Sequence, residues 1–219
     1  MPQVHSADTA LPAPPLVSSQ PGSQRFTTWR LGPWMPGALL LMGVTLWLLW
    51  PGVDVPSVRA VIRATARTSL FFFLMAYTAQ AVWQNWPNAW TAWSRQHRRQ
   101  WGLLLVTSHG IHLVGILVFL HLDPVGFHAR VPAITIYSGT VAYVFLALMG
   151  LSSNDTVARW MGRVVWSRLH TWGSHYLWLS FLVAFGKRIP QSAIYWVPVA
   201  LLMAALLLRK RTVHPSLQL

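Results

Sequence analysis

Four histidines sit inside apolar runs, where a titratable ring is costly to place. His109 and His112 lie in RRQWGLLLVTSHGIHLVGILVFLH, and His170 and His175 in WSRLHTWGSHYLW. Three residues apart on a helix, His109 and His112 are turned about 60° from each other and share a face. His170 and His175, five apart, are turned about 140° from each other and address different neighbours. Neutral imidazole is a good iron ligand, and bis-imidazole ligation of a heme needs one histidine from each of two helices. A b-type heme also needs no cysteine, and the chain has none, which excludes thiolate metal sites, iron–sulfur clusters and disulfides. Gly115 and Gly173 each follow a histidine by three residues. They leave room on that face either for a flat macrocycle or for close helix packing. The competing reading of all four histidines is structural: rings hydrogen-bonded inside a helix bundle.

The elements that must position them follow from composition. The 219 residues are 54% hydrophobic and 10% charged, with a mean hydropathy of +0.42, whereas soluble domains carry about 25% charged residues. Six apolar runs, at 34–50, 68–86, 101–121, 132–151, 164–185 and 190–208, come close to the ~20 residues that cross a bilayer. The expectation is an all-α integral membrane bundle of six transmembrane helices over 32–211, after a Pro/Ser/Gln-rich disordered tail, 1–31, and before a short tail, 212–219. The formal charge is +13, but the basic residues fall between apolar runs, which points to membrane lipid as the partner and not nucleic acid.

Orientation follows from those same residues. With the N-terminus cytoplasmic, the inner segments hold eleven basic residues (Arg25, Arg30, Arg95, Arg98, Arg99, Arg159, Arg163, Arg168, Arg209, Lys210, Arg211). The outer segments hold six: Arg59, Arg63, Arg67, Arg130, Lys187 and Arg188. Both termini are therefore expected inside. Arg59, Arg63 and Arg67, four apart, share a helix face; they either snorkel to outer headgroups or face an anion. Between Leu151 and Tyr176, Ser153 or Asn154 offers a helix cap. Arg159, Arg163 and Arg168, with Trp160 and Trp166 between them, suit one short helix lying at the membrane surface and leading into His170. His97, His121, His128, His5 and His214 fall near run ends or in the tails and read as interface or surface residues.

Two ordered blocks carry a resemblance. Arg98, Arg99 and Gly102 leading to His112, then Ser153, Asn154, Arg159, Gly162, Trp166 and Leu169 leading to His170, resemble the ferric-reductase-like transmembrane domain family. Within that family the nearest pattern is that of the MsrQ-type heme-binding membrane subunits of bacterial methionine-sulfoxide reductase systems. The match covers roughly residues 60–185. It implies bacterial inner-membrane location and heme b held by His112 and His170, with His109 and His175 as alternates. The family usually has a further histidine about thirteen residues after the Leu-His pair. Val183 and Ala184 stand there, so about one heme per chain is expected.

With no Gly-rich dinucleotide fingerprint, the sequence does not indicate a flavin or a nicotinamide cofactor. An electron carrier of this kind draws on a separate reductase or quinol and delivers to a separate acceptor. The resemblance implies that this acceptor is a periplasmic molybdenum-containing reductase. The rival expectation is a heme-free transport or assembly subunit on the same scaffold, its histidines serving packing or proton handling.

Overall fold

A computed structural model describes residues 32–213, with side chains through Arg211. The expected tail 1–31 and residues 214–219 lie outside the described residues. Among those described the chain is all-helical: α1 (Trp34–Leu49), α2 (Val55–Asn85), α3 (Ala89–Gln96), α4 (Arg98–Leu122), α5 (Pro124–Arg130), α6 (Ala133–Leu151), α7 (Asp155–Met161), α8 (Arg163–Gly186) and α9 (Trp196–Val213). Two 3-10 turns, Ile189–Gln191 and Ala193–Tyr195, join α8 to α9.

Local chemistry sets the helix ends. The Asp54 carboxylate accepts from Ser57 N at 2.9 Å, and a proline follows inside the first turn of α2. Those Ser57 hydrogen bonds hold the Asp54 carboxyl below its ordinary pKa. Asn88 and Thr91 cap α3 reciprocally. Asn154 supplies the cap of α7, accepting from Thr156 N at 2.8 Å. One helix through Arg159, Arg163 and Arg168 does not form. Gly162, at φ 77°, takes the left-handed conformation that glycine alone adopts freely, and it ends α7. Arg163 and Arg168 then belong to α8.

Three stretches are long and apolar enough to cross a membrane: Arg98–Leu122, Ala133–Leu151 and Ala193–Arg211. The apolar α1 is shorter, at 16 residues. The run read at 68–86 begins earlier, inside the 31-residue α2, and Arg59, Arg63 and Arg67 share that helix, as their spacing of four suggests.

α2 is the hub. It packs along α4 and also meets α9, α3 and α1, while α6 lies on α8 and α4, and α8 on α9. Phe72, Phe73, Trp101, Leu104, Leu146, Leu177, Phe181 and Leu202 form the main core, and Val58, Phe119 and Phe127 a second cluster at one end. Both glycines singled out beside histidines serve close packing. A Cβ on Gly115 would stand 3.0 Å from Ile62 Cγ1, and one on Gly173 would meet the Met149 sulfur at 2.5 Å.

Candidate functional site

The α2–α4 seam carries a ladder of hydroxyls in the middle of both helices. Ser69 Oγ donates to Ser108 Oγ at 2.9 Å, Thr68 Oγ1 lies 2.8 Å from the same oxygen, and Ser108 Oγ donates to Thr65 O at 3.1 Å. Thr65 Oγ1 donates to Val61 O at 2.7 Å, which turns a lone pair toward His112 Nδ1 at 3.0 Å. Nδ1 also stands 3.0 Å from the Ile62 carbonyl. A carbonyl only accepts, so Nδ1 carries the proton and Nε2 is left with its lone pair. A second partner that fixes tautomer and ring plane in this way is the usual support of a metal-binding imidazole.

His109 stacks beside His112 at 5.2 Å between ring centroids, and touches Tyr143 of α6 at 5.3 Å and Phe181 of α8 at 5.7 Å. Its Nδ1 and the neighbouring Tyr143 hydroxyl are both buried without a hydrogen-bond partner among the described residues. From Phe181 the ring contacts continue to Phe73 at 5.3 Å, Tyr77 at 5.1 Å and His175 at 6.4 Å. His175 is exposed, and its Nδ1 bonds to Thr171 O at 2.8 Å, which again leaves Nε2 open. His170 differs. Its Nε2 lies 3.0 Å from Ser152 Oγ, and its ring stacks on Trp166 at 4.3 Å, whose indole nitrogen in turn donates to Ser152 O.

The structure thus brings His109 and His112 together. No ring contact or hydrogen bond links either to His170 or His175 directly. The α8 residue beside His109 is Phe181, which lies ~16 Å along the helix from His170 and ~9 Å from His175. Individually the donor atoms suit a heme: His112 and His175 each offer a tautomer-fixed ring with Nε2 open. As partners of His112 neither α8 histidine stands level with it: His175 is ~14 Å and His170 ~21 Å short along the helix, and His170 Nε2 is already engaged. Among the described residues no group of three or more His, Cys, Asp or Glu gathers in the way a bare metal ion requires. A heme iron asks the protein for one or two axial ligands only.

Sequence reasoning missed His97. It is 5% exposed, with Nδ1 held at 2.8 Å by Trp93 O and Nε2 buried without a partner. Only the Trp93-x3-His97 spacing hinted at this ring contact, at 4.7 Å. His121 and His128 are exposed, as expected of surface residues, and His5 and His214 fall outside the described residues. The basic pair that opens α4 is structural at this end. Arg98 Nε donates to Ala76 O at 2.9 Å, and Arg99 bridges to Asp155 of α7 at 3.1 Å. Comparison with protein-family models, with curated proteins and with solved structures returned no match.

Proposed function

We propose that this chain is a membrane-embedded electron carrier that binds heme b through His112, in a six-span bundle with both termini cytoplasmic. One observation carries the reading. The Ile62 carbonyl and the Thr65 hydroxyl hold His112 Nδ1 deep in an apolar helix, so that Nε2 is preorganised as a ligand. The resemblance of the two histidine blocks to ferric-reductase-like membrane domains supports the same reading and names His170 as the partner ligand. Of the two α8 histidines, His175 has the open Nε2 and lies closer to the depth of His112, but it too stands short of that level, by ~14 Å along the helix.

When bound, the heme supplies a one-electron iron couple. The protein's part is to fix the His112 ring, exclude water with the Phe72–Phe181 core, and set the number of ligands. Donor and acceptor are separate: a reductase or quinol on one side and an acceptor protein on the other. The test is the visible spectrum of the purified chain with pyridine-hemochrome stoichiometry. About one heme per chain is expected, from a single anchored α4 ligand with no histidine at 183 or 184. A heme-free chain made under heme-replete conditions would overturn the reading. It would favour the rival of a transport or assembly subunit, in which His109, Tyr143 and the hydroxyl ladder form a polar seam for packing or proton handling.

A further inference from the structure

Arg63 and Arg67 lie one turn apart on α2, both exposed. Among the described residues neither is hydrogen-bonded or ion-paired. Their depth follows from the antiparallel α2–α4 register, in which Ile62 meets Gly115, Thr65 meets His112 and Thr68 meets Ser108. Arg67 is therefore level with Gly110, the middle of the Arg98–Leu122 span. Half of a ~30 Å hydrocarbon core separates it from either headgroup layer, about twice the reach of an arginine side chain. Snorkelling serves Arg59, nearer the end of the helix, but not Arg67.

α2 is packed by α1, α3, α4, α8 and α9. Val61, Thr65, Thr68 and Phe72 face the hollow shared with α1, Thr65 and Ser69 bond toward α4, and Phe73 and Tyr77 touch α8. Two residues beyond Thr65, Arg67 is turned about 200° from it. Arg67 and Phe71, the latter 53% exposed one turn further along, stay uncovered among the described residues. Thr65, which holds His112, is thus on the opposite side of α2 from Arg67.

We propose that this face of α2 docks a membrane-spanning segment of a different protein that presents a carboxylate at mid-depth, opposite Arg67. Charge selects that occupant. A guanidinium in hydrocarbon needs an anion beside it, and lipid phosphates are out of reach. A second copy of this chain would bring arginine against arginine. Its described acids, Asp54, Asp123 and Asp155, stand at a helix cap, past the end of α4 and in α7, none of them at this depth.

The proposal rests on α2 crossing the membrane, so the experiment has two arms, both in native membranes. In the first, Phe71 is replaced by a benzophenone-bearing phenylalanine and the crosslinked peptides are sequenced. The expected product joins this chain to a spanning segment that carries Asp or Glu, and Arg67→Leu lowers its yield roughly tenfold or more while Arg67→Lys retains most of it. Crosslinks only to lipid or to a second copy, or a yield indifferent to Arg67→Leu, would overturn the docking. In the second arm Phe71→Cys, in this otherwise cysteine-free chain, is exposed to a membrane-impermeant maleimide. Rapid labelling would overturn the membrane reading itself. Protection without a crosslink would overturn the docking alone.

Discussion

His112 Nδ1 and the main-chain oxygen of Ile62 stand 3.0 Å apart across the α2–α4 seam, and the Thr65 hydroxyl shares the same nitrogen. The carbonyl cannot be mutated away and the hydroxyl can. Thr65→Val should therefore leave the tautomer in place while loosening the ring, lowering heme retention without abolishing it. His112→Ala should remove the reduced-heme bands, and His109→Ala should weaken them less. Difference spectra at matched expression decide the order, and retention by His112→Ala would remove the proposed ligand.

On α8 the two histidines make opposite forecasts. Because Ser152 occupies His170 Nε2, His170→Ala should keep most of the heme, and of the two α8 substitutions His175→Ala, at the ring with Nε2 open, should weaken it more. The reverse result would return the ligand to His170, and Ser152→Ala should then raise occupancy by releasing that ring.

Ser108 is the joint of the hydroxyl ladder, and Ser69, fully buried, donates to it. Ser108→Ala strands that donor in an apolar seam, which costs about 1–3 kcal/mol. A lowered thermal midpoint in detergent, larger than that of Thr107→Ala on the same helix, is the expected reading.

The Asp54 cap gives a pH dependence whose sign is fixed. Its carboxyl is held below the ordinary value in the folded chain by Ser57, so its stabilising effect is present above the unfolded pKa. That effect is lost as the pH falls through the folded one. The first turn of α2 should fray at acid pH, seen as faster amide exchange at Ser57 and Val58. Asp54→Asn, which caps without titrating, should flatten that response.

Topology is testable with reporter fusions after Arg211 and within 123–131. The eleven-to-six distribution of basic residues predicts a cytoplasmic signal from the first and a periplasmic one from the second. A periplasmic C-terminus would reverse the orientation.

The long helices are legible because the apolar runs are long, and Asn154 caps where its type suggests. What escaped was tertiary. A three-residue spacing puts His109 and His112 on one face, but it does not say that Ile62 waits opposite one ring and Phe181 opposite the other. The arginine series through Arg168 looked like one helix because spacing is blind to a single left-handed Gly162. His97 was placed at an interface by its position in the chain, whereas the turn between α3 and α4 buries it against Trp93. Ser108, Thr65 and Thr68 drew no notice, since hydroxyls inside an apolar run acquire meaning only when a neighbouring helix brings its own.

α6 and α2 differ in length by 12 residues, 19 against 31, or ~28 Å against ~46 Å. Against a ~30 Å hydrocarbon layer α6 has nothing to spare, while α2, in the proposed six-span bundle, would overhang it and tilt. In a spanning bundle, bilayer thickness would act on α6 as it would on the 16-residue α1 and the 18-residue α9. The last turn of α6 leads straight into Ser152, the residue that holds His170 Nε2. In the proposed bundle a thicker membrane would load that hydrogen bond, while the His112 anchor lies between the longer α2 and α4. The two histidine regions would then be mechanically unequal, the one beside Ser152 sensing the lipid more than the one between α2 and α4.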